Sequence, residues 1–491
     1  MDRNKELKVH RLRLPGRSLC SIRSNRKWCK RRGSSLECQN CFFVYPIIDS
    51  NLKNLKKLII PLFLEQLLVA LVGIADVFVI GFVGEAAVSG VSLVNAFNMI
   101  FINLFTALAS GGAVVISQYI GKKDKEQAGA AASQLLTASV LLSVVISVVV
   151  LVANEQLMRL MFGKVEDDVM AACVTYLRIS AYSYPAMAIY NAGAALYRSF
   201  GKTSTTMYLS IASNVINVVG NCIGVFALHA GVPGVAVPSL IARIFSAAVI
   251  TVLCFSKRNP VQYLKEWIFK VDLSFQKTIL SIAVPNGIES GIFQLVKVAL
   301  SSVVALFGTY QIAANGIAQS IWSMAALTSS ALSPVFITVI GQCMGAGDTD
   351  QAEYYFRKLI KITLIIGVAW NALVFAVTPF VLSFYAVSEE TKRLTLWLVL
   401  LHNIFNGIAL CYAGPLGSGL RATGDVKFTM GISLFTTIGV RLIFSVIFAI
   451  WMNMGVMGIA LAMCLDWSVR GIIFWWRFKQ GKWKTFQVIR E

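Results

Sequence analysis

The stretch QYIGKKDKEQA, Gln118 to Ala128, returns 224 residues later as QCMGAGDTDQA, Gln342 to Ala352. Gln, Gly, Asp, Gln and Ala coincide without a gap. Apolar composition alone yields chance matches of Leu and Val, but it does not align polar loop residues at one offset. Working outward at that offset, Pro61 falls on Pro285, Glu65 on Glu289, Ala75 on Ala299 and Gly84 on Gly308. One residue is then lost, so that Arg198 and Gly201 fall on Arg421 and Gly424. The offset returns for GVPGVA (Gly231 to Ala236) over GVMGIA (Gly455 to Ala460). The chain is therefore a tandem duplication.

The duplicated material is membrane protein. Hydrophobic residues make up 57% of the 491 positions and charged residues only 14%, against roughly 25% charged in soluble domains. That balance excludes an ordinary soluble enzyme, which needs more polar surface, and a disordered chain. Apolar runs are predicted to span the bilayer near 55–83, 92–120, 131–153, 169–196, 205–228, 233–255, 278–307, 312–343, 358–384, 394–418, 427–451 and 455–477. Each is long enough for a crossing, which takes about 20 apolar residues.

Charge orients these spans. The loops after even spans carry fifteen Lys and Arg, from Lys122 to Lys427; those after odd spans carry four, Arg159, Lys164, Lys392 and Arg393. This asymmetry places the basic loops and both termini in the cytoplasm. Six spans per repeat is an even number, so both copies enter from the same side and form parallel repeats about an axis along the membrane normal. The fold class is all-α and polytopic, with twelve transmembrane helices in two six-helix lobes. The predicted organisation is a basic tail at 1–50, an N-terminal repeat at 51–256, an inter-lobe linker at 257–277, a C-terminal repeat at 278–478 and a tail at 479–491.

The formal charge of +20 raises nucleic acid as a partner, but its placement in short loops and the tail is that of topology signals and anionic-lipid contact. Residues 1–50 hold twelve Lys and Arg and four Asp and Glu, and are read as a cytoplasmic tail without fixed structure. Cys38 and Cys41 form a C-x-x-C, but Cys20 and Cys29 are wrongly spaced to complete a zinc site. No metal or cofactor is expected.

The residues also carry a family likeness. Pro61 precedes Asp76 by fifteen positions in the run IADVFVIGFVG (Ile74 to Gly84), followed by ISQYIGKKD at 116–124, LYRSFGKT at 196–203, NVIN at 214–217 and HAGVPGVA at 229–236. In this order and spacing the chain resembles the multidrug and toxic compound extrusion transporters of the MOP flippase superfamily, in their bacterial, DinF-like branch. The resemblance covers roughly residues 55–480. It implies a monomeric exporter of small amphiphilic or cationic compounds in the bacterial inner membrane. Such exporters work by alternating access and take up protons or sodium ions in exchange. Asp76 matches the family's first-helix aspartate, which binds the coupling ion, and Asn217 and Asn221 fall where the family places its polar partners.

Ionisable residues at membrane depth are functional candidates, because an uncompensated charge there is costly. Asp76 is the first; its alternative is a structural pair with Arg178 or Arg243. Asn214, Asn217 and Asn221 lie at i, i+3 and i+7, on one helical face, positioned to complete a cation or proton site with Asp76. Asp76 has no twin, since its match is Leu300, so the coupling apparatus is expected in the N-terminal half alone. Glu65 and Glu289 either line a central cavity and attract cations or serve as structural acids in each lobe. Lys297, two turns beyond Glu289, is a candidate to neutralise it. Gln294, Tyr190 and Trp322 join these three as substrate candidates, with aromatic faces suited to flat cations. Asp466 and Arg470 sit i, i+4 and are predicted to form a structural ion pair, with Arg441 beside them.

Two other carriers fit twelve spans. A lipid-linked saccharide flippase of the same superfamily would need several cations in its cavity. A major-facilitator carrier would show a G-x-x-x-D-R-x-G-R-R-like loop after span 2, where this chain has GKKDKEQA. An enzyme is not expected, since no phosphate loop, nucleophile elbow or His-rich metal cluster appears.

Overall fold

A computed structural model describes the backbone of residues 10–14, 17–24, 27–30, 52–163, 165–385 and 387–489. It falls into two units, Met1–Asn54 and Leu55–Glu491. The first contains three short strands, β1 (His10–Leu14), β2 (Arg17–Ser24) and β3 (Lys27–Lys30), paired antiparallel in that order. Leu12 faces Leu19 and Ile22 faces Cys29 in the register. The sequence reading assigned no structure here; the alternation in HRLRL is the strand signal it passed over. The side chains of the four tail cysteines lie outside the described residues.

The larger unit is helical. Its N-terminal lobe comprises α1 (Leu52–Gly81), α2 (Glu85–Lys122), α3 (Lys125–Val152), the short α4 (Asn154–Phe162), α5 (Asp167–Tyr182), α6 (Tyr184–Ser199), α7 (Thr203–Cys222) and α8 (Pro233–Cys254). After the linker helix α9 (Lys265–Phe269), the C-terminal lobe runs through α10 (Leu273–Val304), α11 (Thr309–Ala325), α12 (Leu327–Gly345), α13 (Thr349–Ser383) and α14 (Glu389–Cys411). It ends with α15 (Gly417–Thr423), α16 (Val426–Leu434), α17 (Ile443–Val446) and α18 (Val456–Gln480). Among the described residues, eleven helical segments are long and apolar enough to cross a membrane. The fourth span is present as α5 and α6, two 16-residue helices abutting at Ser183. Pro185 lies at the start of α6, where its missing N–H is tolerated.

The repeat motifs act at helix ends. Asp124 accepts a hydrogen bond from the Gln127 N–H at 3.0 Å and starts α3; its twin Asp348 accepts from the Gln351 N–H at 2.9 Å and starts α13. Gly201 and Gly424 follow α6 and α15 with φ of 86° and 105°, a left-handed turn that favours glycine. Each lobe has its own apolar core, around Val94, Leu177 and Tyr184 in the first and around Ala314, Leu398 and Ala449 in the second.

The lobes meet tightly at the end bearing the basic loops. Gly121 sits against the Gln342 carbonyl, and its twin Gly345 against the Gln118 carbonyl; a Cβ at either would collide with backbone. The Gln118 amide donates to the Ala422 carbonyl at 2.8 Å, and the Gln342 amide to the Ser199 carbonyl at 2.7 Å. The linker lies along α3. Leu264 N–H donates to Ser133 Oγ at 2.8 Å, and Gln134 donates to the Trp267 carbonyl at 2.6 Å while accepting from Asp272 N–H at 3.1 Å. The C-terminal tail is docked rather than free. Trp483 is fully buried, stacked on Phe478 at 5.8 Å, and Lys484 pairs with Glu353 at 2.6 Å.

Candidate functional site

In the N-terminal lobe, α1, α7 and α8 bring a chain of polar groups together. Asn221 Nδ2 donates to Asp76 Oδ1 at 2.7 Å. Asn217 accepts from Asn221 at 3.4 Å and donates to Ser239 Oγ at 2.8 Å. The i, i+4 spacing of the two asparagines on α7 puts both amides on the face toward α1 and α8. Asn217 and Asn221 are buried, Asp76 half-buried. Among the described residues no Lys or Arg nitrogen lies within 4.0 Å of the Asp76 carboxylate: Arg178 is exposed and Arg243 donates to Ser183 Oγ at 2.6 Å. A half-buried carboxylate with one amide donor and no countercharge in contact retains free lone pairs for a proton or a metal cation. Asn214 stands outside this chain, its buried Nδ2 lacking a partner. Ser239 and the Ser183–Arg243 bond, with Tyr184 donating to Asn98 Oδ1 at 2.6 Å nearby, went unnoticed in the sequence. Nothing local marks them, although Ser239 lies just past the GVPGVA motif.

Glu65 and Glu289 are both tied down by arginines that are themselves repeat twins. Glu65, 3% exposed, pairs with Arg198 at 2.7 Å and accepts from Thr206 Oγ1 at 3.0 Å, with the Tyr190 hydroxyl at 3.5 Å. Glu289 pairs with Arg421 at 2.9 Å, with Arg470 at 3.9 Å. Lys297 therefore does not neutralise Glu289; it is exposed and lies among other groups. The structural alternative for the two glutamates is the one their contacts favour, because each joins the first helix of its lobe to the end of the fourth span. The pairing was within reach of the alignment, which already matched Glu65 to Glu289 and Arg198 to Arg421.

Asp466 and Arg470 pair at 2.8 Å, and Arg470 also donates to Thr436 and Thr437 at 3.0 and 2.8 Å. Arg441 makes no ion pair with them; it donates to Met463 Sδ at 2.7 Å and lies over the Phe293 ring at 4.8 Å. Trp322 stacks on Trp467 at 5.8 Å, with its indole N–H buried and unpartnered. Gln294 is half-buried. Other aromatic side chains of the spans pack on one another, as Phe97 on Phe101 at 5.2 Å and Tyr412 on Trp475 at 5.6 Å. A cleft of about 940 Å³ opens between the start of α10 and the C-terminal segment, lined by Lys277, Asp425, Arg477 and Phe486 among others. None of the sequence-predicted site residues reaches it.

The model of the MatE family matches residues 61–223 and 285–447, one copy on each lobe at the 224-residue offset of the repeat. The chain belongs to the MatE family. MatE proteins are membrane transporters, and this chain is a transporter and not an enzyme. It is 25% identical over 433 residues to the uncharacterised transporter YisQ of Bacillus subtilis, covering 86% of this chain and 93% of that one. It is 24% identical over 449 residues to the probable multidrug resistance protein NorM of Thermotoga maritima, covering 89% and 94%. In structure it matches an outward-facing multidrug resistance MATE family transporter of the MOP superfamily with a TM-score of 0.81 at 21% identity, over 87% of this chain and 95% of that one. The MatE fold is thus the twelve-helix, two-lobed arrangement read from the repeat.

Proposed function

We propose that this MatE protein is a secondary active exporter. It moves amphiphilic or cationic organic compounds out of the cytoplasm and takes up protons or sodium ions through Asp76. The observation that carries this reading is the Asp76–Asn221–Asn217–Ser239 chain, confined to one lobe. Its carboxylate is accessible, hydrogen-bonded and free of a basic partner, which suits reversible loading by a small cation. The closed end, with Gln118 and Gln342 bonded across the lobes, coincides with the basic loops. Under the charge rule that end is cytoplasmic, and in an alternating-access cycle closure there belongs to the outward-facing state. Inward movement of each elementary charge down a 100 mV potential supplies about 2.3 kcal/mol.

The flippase reading is less favoured because three arginines within the spans are already neutralised. Arg198 and Arg421 are paired with glutamates and Arg470 with Asp466, which leaves Arg178, Arg243, Lys297 and Arg441. The test is cationic dye efflux from cells expressing wild type or Asp76→Asn at matched surface levels, under imposed proton or sodium gradients. The expected result is export by wild type that one gradient drives and that the variant lacks. Export by Asp76→Asn at the wild-type rate would remove Asp76 from coupling, and the absence of dye movement under every gradient would favour the flippase.

A further inference from the structure

The repeat assigns a second, oppositely charged site to the C-terminal lobe. At the 224-residue offset Asp76 maps to Leu300, Asn217 to Arg441, Ser239 to Met463 and Gly73 to Lys297. Leu300, Arg441, Met463 and Lys297 all line one cavity of about 60 Å³, together with Asn315 and Gln319. The C-terminal lobe has therefore replaced the contents of these positions and gathers them around one cavity. An acid has become a leucine, and two neutral positions have become cations.

Arg441 is 5% exposed, and its contacts do not satisfy it. Nη2 donates to the Met463 thioether, a weak acceptor, and the guanidinium lies over Phe293. Nε and Nη1 are buried with no partner. Asp466 spends Oδ1 on Arg470 and lies beyond 4.0 Å of Arg441 among the described ion pairs. Wide helical turns over Phe435–Leu442 carry Arg441, the kind of local unwinding that recurs at functional sites. The cavity lining includes two cations and no acid, whereas a buried charge normally has a partner. Its volume of about 60 Å³ is ample for an ordered small species, since about 10–15 Å³ already holds a water, and it admits a halide, nitrate or a single carboxylate group.

We propose that this cavity binds one small monovalent anion between Arg441 and Lys297, with the Asn315 and Gln319 amides as further donors. The site is independent of the export reading, since binding requires no transport. The occupant is either a free inorganic anion or the carboxylate of a transported compound.

The test uses the full-length protein in detergent, melted by intrinsic tryptophan fluorescence at constant sodium and constant ionic strength. Sodium gluconate, a bulky and weakly coordinating anion, is replaced stepwise by sodium chloride, nitrate or acetate. The wild type is expected to show a saturable rise in melting temperature. Arg441→Met is expected to lose the rise. Lys297→Met, an exposed position at which folding is not in question, is expected to shift the half-maximal concentration up by about tenfold, the effect of one charge-assisted hydrogen bond. A response to acetate as well as chloride supports the site with a carboxylate source; a response to chloride and nitrate alone supports it with a free ion. Melting that ignores all three anions, or an unchanged half-maximal concentration in Lys297→Met, overturns the proposal.

Discussion

Gln118 and Gln342 hold equivalent places in the two lobes, and each donates its side-chain amide to a backbone carbonyl of the other lobe, Ala422 and Ser199 respectively. The acceptors are twins as well, at the 223-residue spacing that already relates Arg198 to Arg421. The closure of the end bearing the basic loops is thus twofold in its chemistry, and each half of it was copied with the gene.

Gln118→Ala or Gln342→Ala removes one donor and leaves a buried carbonyl unpaired, at a cost of about 1–3 kcal/mol to the closed state. Maleimide labelling of Cys343, fully buried beside Gln342, should rise in both variants when reagent is supplied from the cytoplasmic side. The two effects should be similar in size. Labelling unchanged from wild type would mean that the glutamines do not hold the closure.

Gly345→Leu should act more strongly, because any Cβ there meets the Gln118 carbonyl. The expected protein folds, inserts and stays open toward the cytoplasm, with dye uptake into inverted vesicles blocked. Normal transport by this variant would show that the backbone approach is dispensable.

Glu65→Gln should be a folding lesion before it is a transport lesion. It leaves the Arg198 guanidinium, already lacking a partner at Nε, without its carboxylate, at a cost of about 3–5 kcal/mol for a broken buried pair. The double change Glu65→Gln with Arg198→Met should recover much of the melting temperature. Glu289→Gln should be milder, since Glu289 is 19% exposed in its side chain. Equal damage at both positions, or no recovery in the double variant, would contradict the structural role.

Asn221→Leu should leave the fold intact and weaken coupling. Loss of the 2.7 Å donor to Asp76 is expected to raise the driving-ion concentration for half-maximal efflux by about tenfold while the maximal rate holds. The check is efflux from proteoliposomes across a series of imposed gradients. A fall in maximal rate at unchanged ion dependence would place Asn221 in substrate handling instead.

Trp483→Ala should destabilise the protein by about 3–5 kcal/mol, the usual effect of emptying a buried aromatic site. The ring packs on Phe356 and Phe478, both buried. A melting temperature within a degree of wild type would show that the C-terminal segment is not docked in the membrane-embedded protein.

Most of the architecture was legible because it depends on patterns that survive in one sequence. The polar loops Gln118–Ala128 and Gln342–Ala352 revealed the duplication, and the length of the apolar runs revealed the spans. Helical spacing grouped Asn214, Asn217 and Asn221 on one face; of these Asn221 donates to Asp76 and Asn217 joins it through Asn221, while Asn214 stays outside. What escaped was contact between distant segments. Arg198 lies 133 residues from Glu65, so no local rule joins them, although their shared repeat did. Arg441, in the turns over Phe435–Leu442 that precede α17, was read as lying beside the Asp466–Arg470 pair, whereas its guanidinium faces Met463 and Phe293. The break at Ser183 is hidden by a span that stays apolar across it, and the tail strands by a charge density that suggested a chain in solvent.

The grip of Gln134 on the linker has a consequence for how the molecule could be taken apart. Its side chain receives Asp272 N–H and Gln276 Nε2 and binds the Trp267 carbonyl, so the whole connecting segment belongs mechanically to the first lobe. The true seam of the duplication falls at Asp272, where α10 departs, rather than midway along the loop. Two separately made halves should reassemble best when the cut is placed there, with the connector left as a handle on the first half for the second to find.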